Sequence, residues 1–152
     1  MIVPSSGGKD STYIALRLKE LGTDVTAVTA TTCDLTPVGR ANIDNLARHV
    51  RTIEVTPNRT VRAKLNRIAL ETVFDASWPE HVSIHRVPFR VARDIGIKAI
   101  WFGECANNAY GGPPGTENTM TMSQLWASEF GGFLGVRAQD FVGIDGITRR
   151  DM

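Results

Sequence analysis

The sequence predicts an α/β fold, a three-layer parallel sheet of about five strands with helices on both faces. Three observations carry this. Short β-branched or apolar runs alternate with stretches of helical period, the signature of strand–helix–strand units with right-handed crossovers. The first apolar run leads directly into a glycine turn and then a helix. The chain has 152 residues, 42% apolar and 22% charged, which suits one compact domain with a real core.

Residues 1–4 form an apolar stub of strand that Pro4 ends. After the turn, Ile14, Leu18 and Leu21 recur at helical spacing, and Gly22 stops the helix. The run "DVTAVTATT" is β-branched and alternates Val25 and Ala27 with threonine, so it predicts a strand. "GRANIDNLARHV" sets Ile43, Leu46, Ala47 and Val50 on one helical face. "RTIEV" reads as a short strand closed by Thr56, Pro57 and Asn58. "VRAKLNRIALETV" is helical, with Val61, Leu65, Ile68 and Ala69 as its buried side. "EHVSIHRVPFRVARDI" continues helical, with a kink expected at Pro88, and Gly96 ends it. "KAIWFG" reads as a buried strand. From Glu104 a long Gly/Pro-rich loop leads to a helix across "MSQLWASEFGGFL" and an irregular tail. Residues 118–152 are thus the last part of a single domain spanning 1–152.

Bulk charge excludes little but directs expectation. A net charge of +1 points to neither a nucleic-acid nor a membrane partner. No apolar stretch reaches the roughly 18 residues of a membrane helix, and no signal-peptide pattern opens the sequence. Two cysteines, Cys33 and Cys105, make no disulfide framework, so a reducing cytoplasm is the expected location.

In parallel α/β sheets ligands bind outside the carboxyl ends of the strands. Loops 5–11, 31–39 and 103–115 are expected to meet there. The first, within "VPSSGGKDSTYIAL", is the most informative. A strand–glycine turn–helix presents successive N–H groups and the positive end of a helix dipole. Gly7 and Gly8 permit close approach of the backbone to phosphate oxygens, Lys9 adds a cation, and Ser5, Ser6 and Ser11 add hydroxyls. Asp10 beside a polyanion makes sense with Mg²⁺ between them. The spacing is neither that of a Walker A loop nor G-x-G-x-x-G. A plain helix cap explains one hydroxyl, but not two glycines, a lysine and a carboxylate together.

The stretch "SSGGKDST" resembles the S-G-G-x-D-S signature of the PP-loop ATP pyrophosphatases, the N-type group. That resemblance implies a fold of the adenine nucleotide alpha-hydrolase type, with ATP and Mg²⁺ as cofactors and pyrophosphate released. It also implies nucleotide contacts from Ser5, Ser6, Gly7, Gly8, Lys9, Asp10, Ser11 and Thr12. Adenine would be held, largely through main chain, by Thr29, Ala30 and Thr31 after the second strand. Further stretches, "TCDLTPVGRANIDNL", "IEVTPNRTVRAKLNRIAL", "WPEHVSIHRVPFRVA" and "IWFGECANNAYGG", resemble the N-acetyl sugar amidotransferases of surface-polysaccharide biosynthesis. The similarity runs from Val3 to about Gly112. It implies an acceptor such as a nucleotide sugar, whose acetamido oxygen is adenylylated before ammonia from a separate glutaminase displaces AMP. Family members usually carry an N-terminal extension with cysteine pairs and a longer C-terminal part, which leaves the sugar open. The short first strand favours a homo-oligomer.

Other residues carry rival readings. Glu104 follows "IWFG", so it is expected at the same mouth as Asp10, as a second Mg²⁺ or substrate contact; a solvated loop acid is the alternative. Lys9, Asp10 and Glu104 are the candidate catalytic groups, Asp10 and Glu104 the metal ligands. Asn107, Asn108 and Tyr110 can hydrogen-bond a sugar or amide, although Asn is also an ordinary loop former. His81 and His85 share a helical face, but no zinc motif is matched. The family match at "WPEH" places Glu80 and His81 on the substrate side; packed or capping groups are the alternative. Arg59, Arg62, Lys64 and Arg67 read as a solvated basic face, with a diphosphate clamp as the sharper alternative. Cys33 and Cys105 keep thiolation of tRNA or a metabolite in view. A subunit that binds ATP without turning it over is the third reading.

Overall fold

The computed structural model describes residues 1–31, 34–104, 111–115 and 123–151. They divide into two compact units. The first comprises Met1–Thr56 and Ile84–Glu104, the second Pro57–Ser83 and Cys105–Met152.

The first unit is built on a parallel sheet of β1 (Ile2–Pro4), β2 (Thr26–Ala30) and β3 (Arg51–Val55), in the order β1-β2-β3. Val3 pairs with Ala27, and Ala27 with Thr52. Side chains alternate between the two faces of a strand, and the apolar clusters follow that rule. Val3 and Ala27 pack with Ala15, Ile14 and Leu18 of α1 (Lys9–Glu20) and with Leu46 of α2 (Pro37–Ala47). Ile2, Val28 and Ile53 pack on the other face with Val87, Val91 and Ala92 of α4. That helix spans Trp78–Asp94 and runs through Pro88, whose side chain is fully buried. Its residues 84–94 belong to the first unit and 78–83 to the second.

Local signals set the ends of these elements. Thr36 accepts a hydrogen bond from Gly39 N at 3.0 Å, and Pro37 supplies a preset φ at the first turn of α2. After α4 the chain reverses at Gly96, at φ 75°, with Ile97 N bonded to Ala92 O and Gly96 N to Arg93 O. That double bond around a left-handed residue is a Schellman stop, which glycine adopts without a Cβ penalty.

The expected sheet of about five strands is not formed; among the described residues it has three. Residues 98–103, expected as a strand, make a single parallel bridge, Ile2 to Ile100. Ile2 N donates to Ala99 O and Trp101 N to Ile2 O, both at 2.9 Å. The next bond of a parallel ladder would need an N–H on Pro4, which has none. Pro4 therefore halts pairing on that side of β1, while on the other side Ser5 N continues to Val28 O at 2.9 Å.

The second unit contains α3 (Arg59–Val73), the first turns of α4, α5 (Gln124–Glu129) and two 3₁₀ turns at Ala138–Phe141 and Ile144–Gly146. The helix expected across residues 122–134 is thus confined to α5. Asn58 caps α3 by accepting from Thr60 N and Val61 N, at 2.9 and 3.2 Å. Leu65, Ile68, Ala69, Trp78, Phe141 and Ile147 form its core. Trp78 meets the edge of Phe141 with ring centroids 4.7 Å apart, and its Nε1–H donates to Phe133 O at 2.8 Å. The indole is thereby buried with its one polar group satisfied.

Candidate functional site

The loop that the sequence singles out follows β1 directly. Ser5 is the last residue tied to the sheet, and its side chain is buried. Gly7 then turns at φ 80°, and Gly8 takes the N-cap position of α1 with no side chain to cap it. Ser6, Gly8, Lys9 and Asp10 are exposed. Among the described residues no side chain caps the amides at the N-terminus of α1, an arrangement that favours an anion.

Two hydroxyls brace this turn. Ser5 Oγ accepts from Gly7 N at 3.0 Å and lies 2.8 Å from Ser11 Oγ. Ser11 Oγ in turn donates to Gly8 O at 3.3 Å. The turn also sits against its neighbours. A Cβ on Gly7 would lie 3.0 Å from Ile43 N of α2, so this position has no room for a side chain. A Cβ on Gly103 would lie 2.8 Å from both N and Cα of Ser11. Gly103 therefore packs where loop 5–11 ends, at the carboxyl edge of the sheet.

Lys9 Nζ is 2.7 Å from Asp10 Oδ1, an exposed pair. The hydrogen bond that Lys9 donates to Asp10, and the charge of that carboxylate, raise the Lys9 ammonium above its ordinary pKa, and Glu104 acts in the same direction. One cation is thus addressed by both candidate metal ligands. Asp10, bonded to this cation, and Glu104, which adds a weaker field at it, both offer hard carboxylate oxygens. Such a set fits Mg²⁺, which takes one or two carboxylates and completes its shell with phosphate and water.

At the end of β2, Thr29 and Thr31 are both buried. Thr31 is engaged within the sheet: its N–H donates to Val55 O at 3.0 Å and its hydroxyl lies 2.7 Å from Thr56 Oγ1. Thr29 Oγ1 and Thr12 Oγ1 are buried without a hydrogen-bond partner among the described residues. Ala30 is partly exposed.

Glu80 and His81 lie in the second unit, and each has a protein partner there. Arg62, with its side chain 7% exposed, pairs with Glu80 Oε1 at 3.0 Å and donates to Ser83 Oγ at 2.9 Å. Asn66 Nδ2 donates to Glu80 Oε2 at 3.0 Å. His81 Nδ1 is 3.3 Å from Asp75 Oδ2, and Gly132 packs against the His81 ring. Lys64 and Arg67 of α3 are likewise committed within the unit. Lys64 donates to Asp145 O at 2.7 Å, and Arg67 pairs with Glu71 and Asp145 at 3.0 and 3.1 Å. Sequence reasoning missed Asn66 and Ser83 as partners because each bond crosses from α3 to α4, Asn66 to Glu80 and Arg62 to Ser83, whereas helical spacing links residues only within one helix.

Asn107, Asn108 and Tyr110, together with Cys33 and Cys105, lie outside the described residues. Among the described residues no group of three or more His, Cys, Asp or Glu side chains converges as a metal cage. No described helix is long and apolar enough to cross a membrane. No protein-family model matches the chain, and no curated protein matches it significantly.

Proposed function

We propose that the chain is an ATP-dependent, AMP-forming amidotransferase-like enzyme. The observation that carries this reading is the loop itself. An uncapped helix N-terminus at the carboxyl end of a parallel strand stands beside an exposed lysine addressed by two carboxylates. In this reading ATP lies along residues 5–12, with its phosphates toward the amides of α1 and Lys9. Asp10 and Glu104 would hold Mg²⁺, which would supply charge neutralisation for the phosphates.

The acceptor is a small molecule with an acetamido group, such as a nucleotide sugar. Its amide oxygen attacks the α-phosphorus as the bond to pyrophosphate breaks, and the amide nitrogen loses its proton. Ammonia, supplied by a separate glutaminase, then adds to the activated carbon and AMP leaves, so that an amidine forms. An amide oxygen is a poor leaving group and AMP a good one, which is what the ATP supplies. The protein's share is to position the reactants and stabilise phosphate charge, with no side-chain nucleophile required. Lys9 must leave Asp10 to reach the phosphates, so nucleotide and metal exchange partners with an ion pair already in place. A cytoplasmic homo-oligomer is part of the same proposal. Glu80 is not needed in it, because Arg62 and Asn66 within the second unit account for its carboxylate.

The test is product analysis. Purified protein is incubated with Mg-ATP, ammonium chloride and a nucleotide-linked N-acetyl sugar. AMP and pyrophosphate support the proposal; ADP and phosphate overturn the adenylylation step.

A further inference from the structure

We propose that Asn42, on the second turn of α2, is a further phosphate-binding residue of the glycine loop. This role rests on the nucleotide reading of that loop and adds a ligand from a second helix. The seat of Gly7 points to it. A Cβ on Gly7 would lie 3.1 Å from both the carbonyl carbon and the Cβ of Asn42, and 3.0 Å from Ile43 N. α2 therefore runs against the glycine turn, and the side chain that springs from the point of contact is that of Asn42. Gly7 thus stands in sequence between the exposed Ser6 and Gly8, and in space against the exposed Asn42.

The chemistry of the residue agrees. The Asn42 carboxamide has no hydrogen-bond partner among the described residues. Asparagine is a poor helix former, and without a partner it does little for α2. Its two N–H groups are donors, and an N–H bond to an anionic oxygen is roughly twice as strong as one between neutral groups. The cation on the first turn of α2 is already committed. Arg40 donates to both Glu54 oxygens and, through Nε, to Asp44 Oδ1 at 3.0 Å. The donor that α2 offers at the turn is thus the neutral amide. Thr12 Oγ1 on α1 and Thr29 Oγ1 near the end of β2 supply an independent sign. Both are buried without a hydrogen-bond partner among the described residues, and unsatisfied groups gathered at one sheet edge mark a place built to receive a polar ligand.

Calorimetry tests this assignment. Mg-ATP and magnesium pyrophosphate are titrated into wild type, Asn42→Ala and Asn45→Ala. Alanine is the better helix former, so both variants keep the fold, and a thermal transition verifies it. Asn45 is also exposed, one turn further along α2, and controls for any effect that passes through the helix itself. Asn42→Ala is expected to bind both ligands about tenfold more weakly, the loss of one charge-assisted hydrogen bond, while Asn45→Ala binds like wild type. Asn42→Ala that binds like a competent wild type overturns the role of Asn42 and leaves the nucleotide reading standing. Equal losses in the two variants would mark an effect on α2 as a whole and overturn it as well. A loss confined to Mg-ATP, with pyrophosphate bound as before, would put Asn42 on the nucleoside and overturn the phosphate contact. A wild-type protein that binds neither ligand overturns the nucleotide reading, and the role of Asn42 with it.

Discussion

Gly103 approaches Ser11 so closely that a β-carbon on Gly103 would sit 2.8 Å from the N and Cα of Ser11. Backbone, not a flexible side chain, occupies that space, so neither partner can give way cheaply. The start of loop 103–115 is thereby packed on the first turn of the helix that follows the glycine loop, and Glu104 is delivered to the neighbourhood of Lys9.

Gly103→Ala is therefore expected to destabilise the protein by about 1–3 kcal/mol, the usual cost of overpacking, and to weaken Mg-ATP binding by displacing α1. Urea denaturation and calorimetry measure the two effects. A variant as stable as wild type would show that the contact is loose.

The Arg62 and Glu80 pair decides between a structural and a substrate role for Glu80. Removing the carboxylate leaves a guanidinium that is nearly buried and unpaired, which costs on the order of 3 kcal/mol. Glu80→Ala is expected to lower the thermal midpoint while the folded fraction binds Mg-ATP as before. Unchanged stability with lost turnover would return Glu80 to the substrate side.

Thr29 carries a buried hydroxyl with no hydrogen-bond partner among the described residues. Thr29→Val keeps the shape and removes the desolvated group, so the free protein should gain up to about 1 kcal/mol. A loss of comparable size in the denaturation midpoint would show that the hydroxyl is hydrogen-bonded in solution.

Acid sensitivity should have a nameable contributor. Arg40 donates to both Glu54 oxygens at 2.7 and 2.8 Å, and this holds the Glu54 carboxyl below its ordinary pKa. A carboxyl depressed in the fold contributes stability above its unfolded pKa, and that contribution is lost as pH falls through the folded value. The pair is partly exposed, so the effect is modest and weakens in salt. Thermal midpoints followed from neutral pH to about pH 3 should fall less steeply for Glu54→Gln than for wild type. Parallel curves would remove Glu54 from the account.

Much of the fold was legible because short-range signals set it. Ile43 and Leu46 recur at helical spacing and are buried on α2, and the β-branched stretch at 26–30 is a strand. The width of the sheet was not legible. Residues 98–103 have a strand-like sequence, but what limits them is Pro4 on the neighbouring strand, distant in sequence and missing one N–H. The same holds at the site. The pattern of glycines, lysine and aspartate marks the loop, and the structure places Gly7 and Gly8 in the turn before α1 and Lys9 and Asp10 on the first turn of α1. The pairing of Ser5 with Ser11 and the packing of Gly103 are properties of the folded turn alone. The four basic residues of α3 look like an open face in sequence. Three of them are bound to Glu80, Glu71 and Asp145, of which Asp145 arrives from the far end of the chain.

The central claim is that this loop activates an acceptor by splitting ATP between its α and β phosphates. The most direct measurement is the nucleotide product formed by wild type and Asp10→Asn with Mg-ATP, ammonium and a nucleotide-linked N-acetyl sugar. The account predicts AMP and pyrophosphate in equal amounts from wild type, and neither from Asp10→Asn. ADP and phosphate from wild type, or a fully active Asp10→Asn, would contradict it.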